Sequence, residues 1–215
     1  GLFTVPILFI SLLVLQRRYY LWLGGLVILL ANAFSISQGA WIAIGAGILV
    51  YLFMLRYRKI AIAIADIGIV GSFLLPRMQE AVLFQDQAGK NRLTLWTHTI
   101  DYLTHSPQNF ILGSGIRNFF DAIQKPFYNP KALEALKYPH NIILNFWTEI
   151  GLFGMISFVG IVVSLFILAF KIEDTQKKAA YIAALTALVI HGLVDVPYFK
   201  NDLAMLFWVL TFLVY

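Results

Sequence analysis

From Ile150 to Phe170 the chain runs for 21 residues without a charged side chain. As a helix this run is about 30 Å long, the thickness of a bilayer's hydrocarbon core. Inside hydrocarbon every backbone N–H and C=O must be satisfied within the structure, so only helices and closed barrels cross. A barrel would show alternating strands of about ten residues, a pattern absent from this sequence. The expectation is therefore an all-α integral membrane protein. Composition agrees: 60% of residues are hydrophobic, 13% are charged, and the mean hydropathy is +0.79, outside the usage of soluble domains.

Seven apolar segments predict about seven transmembrane helices: residues 2–15, 19–34, 40–55, 60–75, 142–170, 179–196 and 203–215. Basic residues set the orientation. Arg17-Arg18, Arg56 with Arg58-Lys59, and Lys171 with Lys177-Lys178 follow the first, third and fifth segments. All three groups then lie on one side, which the positive-inside rule makes cytoplasmic. The net charge of +5 is spread over these flanks rather than along one stripe, so nucleic acid is rejected as a partner. The chain reads as four N-terminal spans in 1–75, one large extracytoplasmic loop in 76–139, and three C-terminal spans in 140–215. It begins on Gly1 inside an apolar run and ends on Tyr215 at the edge of another, so a piece of a larger membrane protein is expected. There is no cysteine, which excludes disulfides and thiolate chemistry.

The large loop carries helical patterning of its own. Leu93, Trp96, Ile100 and Leu103 recur at helical spacing, and Ser106-Pro107 supplies a stop. Gly113-Ser114-Gly115 leads into a second expected helix at 116–123, and Pro130 opens a third at 131–137. A partly helical loop packed over the outer mouth of the bundle follows from these apolar faces.

Several groups bear chemistry, each with a plainer reading beside it. His140 and Asn141 stand where the loop re-enters the membrane. Imidazole suits a general base near neutral pH, and the same position suits an interfacial histidine beside a helix-capping asparagine. Arg92 and Arg117 fit bidentate phosphate recognition, although loop arginines are commonly just solvated. Gly113-Ser114-Gly115 offers backbone amides to an anion or makes a simple turn. His191 and Asp195, four apart, are expected on one helical face, as a structural pair or as a proton relay. Two such ligands do not make a metal site. Glu149 lies nine residues after His140, which puts the two on opposite faces of one continuous helix. Asp66 is expected as a buried acid. Ser37-Gln38-Gly39-Ala40-Trp41 reads as a short outer turn.

Taken in order, these elements resemble the O-antigen ligase and polymerase superfamily of bacterial polysaccharide assembly. The residues that carry the resemblance are Ser37-Gln38-Gly39-Ala40-Trp41, Arg92 with Trp96, Pro107, Gly113-Ser114-Gly115 and Phe119, then His140-Asn141, Glu149 with Gly151, and His191, Asp195 and Pro197. The resemblance implies a glycosyltransferase of the bacterial inner membrane. Its donor would be a polyprenyl-pyrophosphate-linked glycan, and its acceptor a sugar, lipid-linked or protein hydroxyl, as in lipopolysaccharide assembly at the cell envelope. It further implies His140 as the catalytic base and Arg92 as the holder of the pyrophosphate. Arg117, Gln38, Asn141, His191 and Asp195 are expected as substrate-binding residues. No metal and no cofactor are expected, because arginine balances the leaving-group charge. One position departs from the pattern: the family often has arginine where this chain has Gln38, and glutamine donates a hydrogen bond without neutralising phosphate. A transporter or flippase, or a non-catalytic envelope scaffold, is the competing class. A transporter is expected to show internal repeats and midplane polar groups, whereas the polar groups here cluster at the outer ends of the segments.

Overall fold

A computed structural model describes residues 8, 30, 37–74, 76–130, 135–196 and 201–212. The expected spans at 2–15 and 19–34 lie outside the described residues, as do Arg17-Arg18, Pro197, and residues 131–134 of the third loop helix. The described residues are helical with no β-strand, in helices α1 Gln38–Met54, α2 Arg58–Leu74, α3 Pro76–Val82, α4 Gln87–Thr104, α5 Pro107–Leu112, α6 Ile142–Phe170, α7 Thr175–Gly192 and α8 Asn201–Phe212. Among these, α6 is long and apolar enough to cross a membrane, and α1 is a shorter apolar helix. Two compact units divide the chain. The first comprises Gly1–Leu74, Ser164–His191 and Pro197–Tyr215, and the second Leu75–Val163 with Gly192–Val196.

In the first unit Ser37 caps α1, its hydroxyl accepting from the Ala40 amide. The stretch expected as a turn is therefore already helix from Gln38 onward. Ala40, Ala43, Ile44 and Gly47 form the buried stripe of α1, and three of the four are small residues of the kind that let helices approach closely. On α2 the exposed residues include Ile62, Ile67, Ile69 and Phe73. Asp66, expected as a buried acid, is exposed. Helix α7 starts at an Asp174 cap, whose carboxylate accepts from the amides of Gln176 and Lys177. It is buried all round from Ala179 to Leu185, as a helix surrounded by others must be.

The second unit gathers the loop around α4. Asp86 caps α4 by accepting from the Gly89 amide at 2.9 Å. The buried face is Leu95, Thr99 and Leu103, whereas Leu93 and Ile100, expected inside, are 44% and 46% exposed. The winning face is the one that meets Phe119 and Ile123, with Trp96, Tyr102, Phe127 and Leu136 around them. Burying Phe119 completely contributes roughly 2–3 kcal/mol. Ser106 both stops α4 and starts α5, its hydroxyl accepting from the Asn109 amide while the Asn109 side chain donates back to the Tyr102 carbonyl. The second expected helix takes a different form, a π-helical turn at Phe120–Gln124 followed by a 3₁₀ turn at Lys125–Phe127. Pro126 has no N–H to continue an α-helix, so the turn changes pitch there. Residues 135–137 are not helical. The Leu136 amide instead donates to the Gln124 side-chain oxygen at 2.7 Å.

Helix α6 is broken inside. Gly151 has φ 74° and ψ −177°, a region essentially restricted to glycine. The break separates a short helix, 142–150, from a long apolar one, 152–170.

Candidate functional site

One helix and two short segments of the second unit hold the chemistry-bearing residues. Arg92 and Trp96 are one turn apart on α4 and share a face. The Trp96 indole N–H donates to the Pro139 carbonyl at 2.9 Å, fixing the backbone immediately before His140. Arg92 Nε donates to the Val194 carbonyl at 3.0 Å. The terminal amino groups of its guanidinium, Nη1 and Nη2, carry no hydrogen bond among the described residues, so both prongs of the fork are available to an anion.

Residues 193–195 receive these groups. Helix α7 ends at Gly192, where a Cβ would sit 2.9 Å from Ile142 Cγ2. Glycine thus lets the end of α7 press against the start of α6, and the chain leaves the helix there. Asp195 is consequently three residues past the helix, not on a helical face shared with His191. Its carboxylate instead meets His140 Nδ1 at 3.2 Å and also accepts from the Val196 amide at 2.8 Å. The Asn141 side chain donates to the Leu193 carbonyl at 3.0 Å, while its oxygen accepts from the Ile143 and Leu144 amides and caps α6.

His140 itself has φ 53°, a left-handed conformation that histidine adopts more readily than most residues but that still costs about 1–3 kcal/mol. The Trp96 and Asn141 bonds on either side hold it there, and the Tyr138 ring stands edge-on to the imidazole at 5.1 Å. With Nδ1 turned to a carboxylate, the neutral tautomer carries its proton on Nδ1 and presents an unprotonated Nε2. Both side chains of the pair are 25% exposed, so the imidazole is partly open to its surroundings.

The far end of the short helix is fastened differently. The break at Gly151 frees the Thr148 carbonyl from its helical partner. That carbonyl instead accepts from the Ser114 amide at 2.7 Å, the Gly115 amide at 3.1 Å and the Ser114 hydroxyl at 3.1 Å. The glycine-rich turn therefore spends its amides on the protein rather than on an anion. Gly113, with φ 72° and ψ −152°, lies directly against the Trp147 and Thr148 carbonyls, and Gly151 lies against the Ile111 carbonyl. Nearby, Arg117 has φ 59°. Its backbone and its side-chain charge both lie close enough to act on the Glu149 carboxylate.

The structure thus brings Arg92, His140, Asn141 and Asp195 together. Arg117 belongs to the Glu149 end of the short helix. Gln38, exposed in the first turn of α1, and His191, 3% exposed in the last turn of α7, belong to the first unit. Sequence reasoning passed over Asn145, one turn beyond Asn141. It is wholly buried, and neither its side-chain nitrogen nor its side-chain oxygen has a hydrogen-bond partner among the described residues. A polar residue inside a helical run carries no signal of this, because burial of its face depends on the packing of distant elements.

A comparison with curated proteins gives no match. A family model described as O-antigen ligase matches residues 23–159, a stretch that includes α1 to α5, His140, Asn141 and the short helix 142–150. It covers more than half of the chain, which therefore belongs to the O-antigen ligase family, a group of membrane proteins of glycan assembly.

Proposed function

We propose that this protein transfers a glycan from a polyprenyl-pyrophosphate donor to an acceptor hydroxyl at the outer face of the bacterial inner membrane. A ligase would pass the glycan to a lipid or protein acceptor, and a polymerase would pass it to another repeat unit; the same site serves both. In this reading the protein has the seven-span topology expected from its apolar segments, with residues 76–139 outside the cytoplasm.

The observation that carries the proposal is the convergence of Arg92, Asn141 and His140 on residues 193–195. Asp195 holds the imidazole in the tautomer that a base requires, and it stabilises the imidazolium that forms. His140 Nε2 removes the acceptor hydroxyl proton as the oxygen attacks the anomeric carbon. The bond from that carbon to the pyrophosphate oxygen breaks, and the polyprenyl pyrophosphate leaves with the electron pair. Arg92, anchored through Nε, presents its two amino groups to the charge that develops on the leaving group. One such displacement inverts the anomeric centre. The proton on His140 then passes to water.

The test is glycan transfer by the full-length protein in nanodiscs, supplied with a polyprenyl-pyrophosphate oligosaccharide, with and without chelator. His140→Asn is the variant of choice, because asparagine tolerates the left-handed backbone at this position. Loss of a positioned general base lowers the rate about 100- to 10,000-fold. Transfer that survives chelator and is lost in His140→Asn and Arg92→Ala, in proteins that remain monodisperse, is the expected result. Undiminished transfer by folded His140→Asn would sink the base assignment.

A further inference from the structure

We infer that residues 110–116 are a membrane-dipping element, lying in the outer leaflet of the bilayer against the broken helix α6 rather than in the aqueous loop. From Ser106 to Ile116 the chain has no charged residue, and the first charge is Arg117. The apolar side chains of this stretch point outward: Ile111 is 43% exposed, Leu112 61% and Ile116 71%. A turn in water would bury such groups or lack them.

What covers them follows from where they are attached. Gly151, at the break of α6, lies against Ile111 and Leu112, so the end of α5 abuts the helix where its long apolar half begins. The neighbouring α6 side chains Ile150, Phe153 and Ile156 are exposed at 46%, 70% and 53%. Helix α6 is long and apolar enough to cross a membrane, and in that setting its outward-facing apolar side chains meet lipid. The α5 patch adjoins that surface at the Gly151 contact with Ile111 and Leu112. Bilayer hydrocarbon is therefore the occupant of both. The polar features fit this depth. The Trp147 indole, bonded to the Phe110 carbonyl at 2.7 Å, is the kind of group that gathers at a membrane–water boundary, and Arg117 has the reach to extend from the patch to the phosphate level.

This inference is independent of the catalytic reading, and its test needs no activity. The sequence has no cysteine, so Leu112→Cys, Ile116→Cys, Phe153→Cys and Asp101→Cys each accept one nitroxide label. Collision rates with oxygen, which concentrates in hydrocarbon, and with a water-soluble nickel chelate are measured for the full-length protein in liposomes. Labels at 112 and 116 are expected to match 153, with an oxygen-to-nickel ratio several-fold above that at 101. A ratio at 112 and 116 equal to that at 101 would place the element in water and overturn the inference. Labels immobilised and shielded from both reagents would overturn it too, by showing that protein, such as a second copy of this chain, covers the patch.

Discussion

The short helix 142–150 is fastened at both ends, by different means. At its start the links are side chains: His140 to Asp195, Asn141 to Leu193, and Arg92 to the neighbouring Val194 carbonyl. At its finish the links are backbone, with Ser114 and Gly115 amides on the Thr148 carbonyl and two glycines in direct contact with carbonyl groups. Side-chain links carry groups that titrate, donate and hold charge, and they change one at a time. Backbone links have no chemistry to offer a substrate, but they require the absence of a Cβ. The first end carries the groups of the proposed chemistry, and the second fastens the helix through its backbone.

The largest effects should therefore come from the end without chemistry. Gly151→Ala and Gly113→Ala each place a methyl group into a carbonyl while forcing alanine into a conformation reserved for glycine. Each should lose about 3 kcal/mol or more, seen as aggregation or a large drop in melting temperature in detergent by fluorescence-detected size exclusion. Wild-type melting behaviour in either variant would mean that the two segments do not touch as described.

At the other end the expected effect is large in rate and small in stability. Asp195→Asn keeps an oxygen for the Val196 amide and for His140 Nδ1, so the fold should hold. It removes the charge that stabilises the imidazolium, and transfer should fall about 100-fold or more. A variant that melts like the parent and transfers at the parental rate would reduce the His140–Asp195 contact to a structural bond.

This contrast also explains what could be read in the sequence. The helix at Ile142–Phe170 was legible because its last 21 residues, Ile150 to Phe170, carry no charge, which leaves little alternative to a helix. Arg92, His140, Asn141 and Asp195 were legible as candidates because their side chains bear chemistry. Their partnership was not. Spacing put Asp195 on one helical face with His191, whereas the helix ends at Gly192 and the Asp195 carboxylate meets His140, 55 residues away in sequence. The break at Gly151 was equally hidden, since a glycine in an apolar run resembles any small packing residue until Ile111 is known to lie against it. On α4 the spacing picked out Leu93 and Ile100, whereas contact with Phe119 and Ile123 selects Leu95.

Asn145 lies between the two ends and tests whether the helix has a polar interior of its own. A buried amide without partners costs about 1–3 kcal/mol, and an apolar residue of similar shape removes that cost. Asn145→Leu should therefore raise the apparent melting temperature, read by intrinsic fluorescence in nanodiscs. A marked drop would show that the amide is bonded within the folded protein after all.

The smallest effect separates torsion from contact at the backbone end. Gly115 has φ 90°, yet a Cβ there would meet nothing within 4 Å, and its amide bond to Thr148 would survive in alanine. Gly115→Ala should therefore cost only the left-handed conformation, about 1 kcal/mol, measured as a modest fall in melting temperature beside Gly113→Ala. The two positions share a turn and a bonding partner, differing in the space around them. If Gly115→Ala proved as damaging as Gly113→Ala, backbone conformation alone would account for the glycines, and close approach of the turn to the broken helix would no longer be needed to explain them.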